Sequence, residues 1–415
     1  MIEACKGGIE MRRLTVGLLM LFAFAVPWEY SLDVGEPFGN VARILGILLL
    51  LAVIPQVLMA REMQRPGMVQ WLVLALYLYF LCSYFWTVDQ AATVEKIRAY
   101  FQVMILVWVV WEVAKTPWHL RGMLRALIAG CWVLTILTLL NFSSASAIAA
   151  GQIRFAAEGQ DPNDVARFLD LGFAPATLLF ATETGWLTRS LAIGYVPAGL
   201  LAVLLTASRG GFSAALAALL GAAVLLVMWR PRAASMVFVG LAVTVGALFL
   251  LVPAGSVERL ATIPEQLGSG DWNDRLNIWN AGWHAFTQAP WRGYGAGTFT
   301  TAVGLAASDT AHNTVMAVLV SGGLAATLIF VAILVGVGRA VVRTRGLLRV
   351  ALGTTLAVWL ITSMVGSVEE NRVTWLLFGM MALAGRLEVE QPDALMRVFS
   401  GQRRRDLKVL AYAGR

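Results

Sequence analysis

The sequence predicts an all-α protein that crosses a membrane many times, and three observations support this fold class. The chain of 415 residues is 59% hydrophobic and only 14% charged, whereas a soluble domain has about 25% charged residues. Its apolar residues fall in blocks of roughly 15 to 22, long enough to cross a bilayer as helices. Blocks such as 44–54 and 216–228 lack the alternating polarity of barrel strands. Both a soluble globular protein and a membrane β-barrel are therefore excluded.

About twelve apolar blocks have the length of a membrane span. They are 14–28, 41–59, 69–86, 97–113, 122–141, 166–183, 191–206, 212–229, 234–253, 312–336, 350–366 and 373–385. The domain organisation that we predict from them has four parts. These are nine spans within 1–253, a large outer loop at 254–311, three spans within 312–385 and a basic cytoplasmic tail at 386–415.

The basic residues predict how the spans are oriented. If the N-terminus is cytoplasmic, 22 of the 32 Lys and Arg residues fall on inner connections or in the tail. The outer connections are mostly acidic, with Glu29, Asp33, Glu36, Asp89, Glu158, Asp161, Asp164, Glu369 and Glu370. By the positive-inside rule, both termini are then cytoplasmic. The net charge of +7 reflects this topology and attraction to anionic inner-leaflet lipid, so we expect no nucleic-acid partner.

Neither the cysteines nor any phosphate-binding loop indicates a cofactor. Cys5, Cys82 and Cys131 have no metal-ligand spacing, and a disulfide framework is not expected. The outer side carries no Asp-x-Asp or His-x-x-x-His pair, and the glycine-rich segment 293–297 lacks the Gly-Lys-Ser/Thr ending of an ATP-binding P-loop. We therefore expect no metal and no other cofactor, and ATP-driven transport is disfavoured.

The outer loop at 254–311 is much longer than the other predicted outer connections, and long loops of this kind are usually functional. Four of its apolar residues recur at the spacing of one helical face: Leu276, Trp279, Trp283 and Phe286. Asn273 or Asp274 is placed to cap this helix. We expect the helix to pack on the bundle or to lie in the membrane interface.

Ten basic residues are not explained by orientation, and Arg209 and Arg275 are the main functional candidates among them. Arg209 lies between two very apolar helices, where an arginine is costly unless a partner or a water-filled cavity meets it. Its guanidinium has several donors in a planar fork and a permanent charge, which suits a phosphate. The alternative is that Arg209 pairs with an outer carboxylate or reaches lipid headgroups. The next candidates are Arg43, Arg98, Arg154, Arg167, Arg292 and Arg372.

Of the three histidines, His312 is the best placed for chemistry. His119 belongs to a basic inner loop and His284 to the predicted loop helix, whereas His312 begins a span at the outer face. A neutral imidazole with a pKa near neutrality is suited to act as a general base there. The alternative is that His312 caps the helix or is a hydrogen-bonded structural residue.

Taken together, these features resemble the superfamily of O-antigen ligases and O-antigen polymerases over nearly the whole chain. The motifs that carry the resemblance are Asp-Pro-Asn-Asp at 161–164, Ser-Arg-Gly-Gly at 208–211, Asp-Arg-Leu-Asn-Ile-Trp at 274–279, Gly-Tyr-Gly-Ala-Gly-Thr-Phe at 293–299, His-Asn at 312–313 and Ser-Gly-Gly-Leu at 321–324. The ligases also carry Gly, Thr or Tyr three residues after the last of these glycines. Here Ala326 occupies that position and Thr327 follows one step late, which weakens the ligase identification relative to the polymerase.

The resemblance implies a metal-independent, inverting glycosyltransferase of GT-C-like architecture in the inner membrane of a Gram-negative bacterium, with its active site facing the periplasm. The donor would be O-antigen on undecaprenyl pyrophosphate, and the acceptor a hydroxyl of lipid A-core oligosaccharide. Arg209 and Arg275 would bind the pyrophosphate and stabilise its growing charge, and His312 would orient or deprotonate the acceptor hydroxyl. The further substrate-binding residues that it implies are Asn313, Arg372 and Arg154.

Two kinds of alternative stay open at this point. A polymerase or a protein O-oligosaccharyltransferase of the same superfamily would share the arginines and the histidine and differ in the acceptor. A single large outer loop and a short basic tail favour the ligase. A transporter belongs to a different class, and such folds often contain internal repeats with broken helices near the midplane. The sequence has no evident repeat, and its notable polar residues lie at the outer face.

Overall fold

A computed structural model of the chain describes residues 2–32, 34–35, 39–60, 63–144, 152–268, 275–306 and 309–400. These residues form α-helices that are joined mostly by short turns. The first nine helices are α1 (Ile2–Ala25), α2 (Val41–Ala60), α3 (Met68–Cys82), α4 (Gln90–Val113), α5 (Pro117–Phe142), α6 (Pro162–Thr182), α7 (Trp186–Leu205), α8 (Arg209–Trp229) and α9 (Ala234–Phe249). The others are α10 (Ala254–Ala261), α11 (Ile263–Gly268), α12 (Arg275–Gln288), α13 (Phe299–Val303), α14 (Thr314–Arg343), α15 (Gly346–Ser363), α16 (Arg372–Glu390) and α17 (Pro392–Phe399).

Within the described ranges, ten helices are long and apolar enough to cross a membrane. The predicted class, an all-α polytopic membrane protein, is confirmed. The two remaining predicted spans are α4 and α16, helices of 24 and 19 residues that carry more charged side chains. Each of the twelve apolar blocks therefore corresponds to a long helix. Helix α16 continues to Glu390, past the predicted start of the basic tail, and residues 401–415 lie outside the described part of the chain.

Helices α6 and α16 form the centre of the bundle, because almost all of their residues are buried. Helix α6 packs against α7, α8 and α15, and α16 packs against α4 and α14. The core around them is aliphatic and aromatic, and it includes the fully buried Trp359, Trp375 and Phe378. Because these two helices are buried on nearly all sides, they form a rigid support for the residues at their ends.

Several helices begin at a polar residue whose side chain accepts a hydrogen bond from the first turn of the backbone. These cap residues are Asp89, Thr116, Asp161, Ser208 and Asn313. A cap of this kind is worth about 1 kcal/mol. Three of the five belong to the motifs singled out in the sequence, so those motifs mark helix starts. One end of the bundle carries Asp161, Arg209 and His312, and we call it the outer end. The charge distribution predicts that this end faces away from the cytoplasm.

The large outer loop contains the four short helices α10 to α13, and α12 lies on the bundle against α14. Gly282, Ala285 and Phe286 of α12 are buried, and the indole nitrogen of Trp279 donates to the carbonyl of Ala311, 3.0 Å away. Trp283 is more than half exposed. The predicted apolar face thus packs only in part, and the predicted caps at 273 and 274 lie outside the described residues.

The glycine-rich segment after α12 docks into a break in α14. Gly323 has φ 63° and ψ −163° within this helix, a conformation that is essentially restricted to glycine. At the break, the N–H of Tyr294 donates to the carbonyl of Val320 at 3.1 Å. A Cβ at Gly323 would lie 2.5 Å from the carbonyl carbon of Trp291. The glycines therefore allow two backbones to meet, and this contact ties the outer loop to the bundle.

Candidate active site

A sharp turn at 206–208 joins α7 to α8 and fixes two arginines at the outer end. Ala207 is fully buried and has φ 49°, a left-handed conformation that costs an alanine about 1 kcal/mol or more. The carbonyl of Thr206 accepts from Arg154 Nε at 3.1 Å, and that of Ala207 accepts from Arg259 Nε at 3.2 Å. The strained turn thus presents two carbonyls that hold the stems of two guanidinium groups.

The Ser-Arg-Gly-Gly motif starts α8 close against α6. Ser208 Oγ accepts from the N–H of Gly211 at 3.2 Å and donates to Asn163 Oδ1 at 2.9 Å. A Cβ at Gly211 would collide with the side chain of Ala166 on α6. Glycine at this position is therefore required by the close approach of the two helices. The serine caps α8, and the glycines allow its first turn to reach the core.

Arg209 occupies the first turn of α8, where the positive end of the helix dipole adds to its own charge. Its Nη1 donates to Thr262 Oγ1 at 3.1 Å, and the same hydroxyl donates to the carbonyl of Arg259 at 2.8 Å. Arg209 and Arg259 are therefore connected through one threonine. Arg259 was not singled out in the sequence, although it is one of the ten basic residues that orientation leaves unexplained.

The Asp-Pro-Asn-Asp motif opens α6 and supplies the acidic and amide groups of the site. Asp161 Oδ1 accepts from the N–H of Asn163 at 2.8 Å, and Asn163 Oδ1 accepts from Arg154 Nη2 at 2.9 Å. Asp164 forms an ion pair with Arg167, one turn further along α6. The motif therefore positions two arginines, and Arg167 had only a secondary place among the sequence candidates.

Arg167 is the most deeply buried of these arginines, with 8% of its surface exposed. Its guanidinium lies against Gly366, where a Cβ would collide with it. Its Nε and Nη1 have no hydrogen-bond partner among the described protein atoms. A buried guanidinium with unused donors is costly unless an anion meets it, which makes Arg167 a further candidate for binding an anionic substrate.

Five arginines therefore meet at the outer end, and we call them the arginine cluster: Arg154, Arg167, Arg209, Arg259 and Arg275. Burial lowers the pKa of Arg154, and the charge of Arg259 lowers it further, while Asp161 opposes this effect. Burial and the charge of Arg209 likewise lower the pKa of Arg275. Acids also lie near the cluster within the described residues: Asp161 and Glu369 are close to Arg167, and Asp164 pairs with it. The site has the electrostatics of an anion-binding pocket.

His312 lies beside this cluster, immediately before α14. Burial lowers the pKa of its imidazole below the ordinary 6.5, and the charges of Arg275 and Arg167 lower it further, while Asp161 and Asp309 oppose them. The imidazole is therefore neutral at pH 7 and able to accept a proton. Its φ is 47°. Ala207 and His312 are the two residues other than glycine with positive φ in the described ranges, and such strain often accompanies functional sites.

Asn313, a substrate-binding candidate by the resemblance, makes structural contacts with the backbone. Its Oδ1 accepts from the N–H of Met316 at 2.9 Å and caps α14, while its Nδ2 donates to the carbonyl of Met364 at 3.2 Å. Next to it, the Thr314 hydroxyl donates to the carbonyl of Gly366 at 2.8 Å. These bonds attach the start of α14 to the segment that packs on Arg167. Asn313 thus holds His312 in place beside the cluster.

Arg372 forms its contacts with residues outside the arginine cluster. Its guanidinium forms an ion pair with the buried Glu29 and donates to Gln102 Oε1 at 2.7 Å. Both partners come from helices or turns remote from the 206–208 turn in sequence, and within the described part of the chain no hydrogen bond links Arg372 to the arginine cluster. Because its charge is neutralised by Glu29, we leave it out of the proposed anion site.

Residues 195–331 of the chain match the model of a protein family that is described as O-Antigen ligase. The matched segment runs from within α7 to within α14 and includes Arg209, Arg259, Arg275 and His312. Within these residues the resemblance that the sequence motifs indicated is confirmed, and the motif at 161–164 lies outside the matched segment. No curated protein matches the chain.

Proposed function

We propose that this chain, whose residues 195–331 belong to the O-antigen ligase family, is itself an O-antigen ligase. It would transfer O-antigen polysaccharide from undecaprenyl pyrophosphate to lipid A-core oligosaccharide on the periplasmic side of a Gram-negative inner membrane. The observation that carries the proposal is the arginine cluster beside a neutral His312 at the outer end of the bundle. A lipid-linked pyrophosphate and a hydroxyl are the substrates that such a pair of groups fits.

The arginine cluster would bind the pyrophosphate of the donor. The Nε atoms of Arg154 and Arg259 are held by backbone carbonyls, so these guanidinium groups lose little freedom when their other nitrogens meet phosphate oxygens. Several arginines held close together suit a pyrophosphate diester, and they attract it more strongly as the leaving group gains charge. Preorganised charge of this kind typically makes the largest contribution to catalysis. In this proposal the arginines supply the positive charge, and no metal is required.

His312 would act on the acceptor. The neutral imidazole takes the proton of a sugar hydroxyl while the hydroxyl oxygen attacks the anomeric carbon of the donor. The bond between that carbon and the pyrophosphate oxygen breaks, and its electron pair leaves with the pyrophosphate. Attack from the side opposite the leaving group inverts the anomeric configuration. The pyrophosphate is already a good leaving group, so neither a nucleotide nor an ion gradient is needed.

The decisive experiment replaces His312 by Ala in a strain without its own ligase and examines lipopolysaccharide on a gel. We expect the whole O-antigen ladder to disappear while carrier-linked chains accumulate. His284→Ala is the matched control, because His284 is exposed and contacts Gln288 on its own helix. Immunoblots must show equal amounts of both variants.

The other outcomes of this experiment are also informative. A band with a single O-antigen repeat would identify the protein as a polymerase instead of a ligase. An unchanged ladder in His312→Ala would refute both activities. Purified protein in vesicles that forms product without ATP or an ion gradient would exclude a transporter, and a protein that moves substrate without making product would support one.

A further inference from the structure

A cavity of about 610 Å³ lies next to the arginine cluster at the outer end. It is formed by the start of α4, residues between Gly297 and Leu305, residues 309–311, the start of α14 and the segment before α16. Ala311, which precedes His312, is part of its wall. Its volume is within the range of about 300–1,000 Å³ that is typical of pockets for small ligands. The cavity therefore has room for a few sugar rings beside the proposed base.

The charge of this cavity is opposite to that of the arginine cluster. Its lining contains six carboxyl groups, those of Asp89, Glu95, Asp164, Asp309, Glu369 and Glu370, and one amine, that of Lys96. Lys96 Nζ pairs with Glu370 at 2.7 Å, and Asp164 pairs with Arg167. The other four carboxyl groups form no ion pair among the described contacts, although the charge of Lys96 also acts on Glu95 and Glu369. His312 thus lies on the border between a cationic and an anionic region.

Glu369 is an independent indication that the cavity takes a ligand. It is 95% buried, with 5% of its surface exposed, and its Oε2 has no hydrogen-bond partner among the described atoms. Burial raises the pKa of Glu369 to about 7, with Lys96 opposing and Glu370 adding to the effect. A buried carboxyl oxygen without a hydrogen-bond partner is costly, and a ligand hydroxyl in the cavity would satisfy it.

Aromatic rings also line the cavity. Phe80 and Tyr100 are stacked with their centroids 4.6 Å apart, and Phe299 lines the same wall. Carboxylates that accept hydrogen bonds from hydroxyls, next to apolar ring faces, are well matched to an uncharged sugar. They are poorly matched to a phosphate, because like charges in contact cost several kcal/mol.

We propose that this acidic cavity is the acceptor subsite and that its carboxylates select an acceptor sugar without phosphate near the reacting hydroxyl. The inference rests on the proposed transferase function and specifies the chemical class of the acceptor, a sugar without a nearby phosphate. The donor pyrophosphate binds on the arginine side of His312, and the uncharged end of the acceptor glycan binds on the carboxylate side. A polymerase acceptor carries its own pyrophosphate within a few sugars of the reacting hydroxyl, and this cavity disfavours it.

The test compares two fluorescent trihexosides that differ only by a phosphate on the terminal sugar. Their binding to the purified full-length protein is measured without donor, and their transfer is measured with a lipid-linked oligosaccharide donor. We expect the wild type to prefer the uncharged trihexoside at least about tenfold in both measurements. Asp309→Lys places a positive charge at the exposed rim of the cavity, and we expect it to reduce this preference to about threefold or less with the donor KM unchanged.

The matched control is Glu158→Lys, which makes the same charge change at an exposed carboxylate outside the cavity. Glu369→Gln is the second variant, which keeps the shape of the side chain and should weaken binding of the uncharged trihexoside about tenfold. Equal binding of both trihexosides by the wild type, or the same preference in Asp309→Lys as in Glu158→Lys, overturns the proposal. If the wild type prefers the uncharged trihexoside in binding but neither it nor any variant forms product, the result supports the acceptor subsite and contradicts the proposed transferase function.

Discussion

The two ends of the bundle use arginine in different ways. At the inner end, the predicted cytoplasmic side, several arginines pair with carboxylates. Arg125 Nε and Nη2 donate to the two carboxylate oxygens of Glu183 at 2.6 and 2.5 Å, and Arg345 pairs with Glu388 at 3.1 Å. At the outer end, arginines lie close to one another, and burial together with the charges of Arg259, Arg209 and Arg275 lowers the pKa of Arg154. The first arrangement places arginines beside acids, and the second concentrates like charge.

This contrast separates orientation from function. Arg386 illustrates the inner end, because its guanidinium stacks 4.4 Å from the centroid of the Trp111 ring and donates to the carbonyl of Ala114 at 2.6 Å. Its Nη1 also donates to the carbonyl of Trp111, and its Nε lies 3.6 Å from Glu390 Oε2, so its charge has a carboxylate partner within the protein. Arg167 illustrates the outer end, because two of its nitrogens lack a protein partner in the described structure. We infer that positive charges at the inner end follow the topology, and we propose that those at the outer end bind a substrate.

The largest effect that we predict from this contrast is the loss of transfer in Arg275→Lys. A lysine keeps the charge and loses the planar fork that binds two phosphate oxygens, and removal of one preorganised donor typically costs about a hundredfold or more in rate. Transfer of a lipid-linked oligosaccharide by the purified variant, measured as kcat, is the test.

Arg345→Lys is the matched change at the inner end. The side chain of Arg345 is 67% exposed, and exposed ion pairs contribute about 0–1 kcal/mol, so we expect transfer to change by less than about twofold. Equal losses in both variants would mean that the arginines of the two ends do not differ in function. Full activity in Arg275→Lys would mean that charge alone suffices at the outer end.

Composition and charge predicted the helices well, because each long apolar block can satisfy its backbone in a membrane only as a helix. Even α4 and α16, which carry more charges, were recognised as apolar blocks. The sequence singled out Arg209 and Arg275 because the orientation of the spans does not explain them. It singled out His312 because this histidine begins a span at the outer face. Local sequence patterns were sufficient to single out these residues as neighbours, because the topology brings helix starts together at one end of a bundle.

Long-range contacts could not be predicted in this way. Arg259 lies in the short helix α10, and its partner is the carbonyl of Ala207, 52 residues earlier. Arg372 has the same sequence signal as Arg154, an arginine at the outer end, yet Glu29 from the first span neutralises it. Whether an outer arginine is paired or available depends on which helices are neighbours, and one sequence does not contain that information.

The second prediction concerns the backbone contact that ties the outer loop to the bundle. Gly323→Ala should lower the free energy of unfolding by about 1–3 kcal/mol or more, because its φ and ψ belong to a region that is essentially restricted to glycine and its Cβ would clash with Trp291. The segment that follows α12 would shift, so transfer should fall as well. Thermal unfolding in detergent and the transfer assay measure the two effects.

Gly338→Ala is the control in the same helix, toward the inner end. A Cβ at Gly338 has no atom within 4 Å, and alanine is the better helix former by about 1 kcal/mol. We expect this variant to be as stable as the wild type or more so, with unchanged transfer. If Gly323→Ala behaves like Gly338→Ala, the docked segment does not hold the outer end together.

The smallest effect is the pH dependence that the outer charges impose on His312. Its pKa lies below 6.5 because of burial, Arg275 and Arg167, and only the neutral imidazole accepts a proton. The acidic fall of kcat/KM, which reports groups of the free enzyme, should therefore have its midpoint below pH 6.5. Asp309 raises the pKa, so Asp309→Asn should move the acidic fall of kcat/KM to still lower pH, and Glu158→Gln should leave it in place. A fall centred at or above pH 6.5, or one that Asp309→Asn moves upward, would show that the base of the reaction is not a histidine in the field of the arginine cluster.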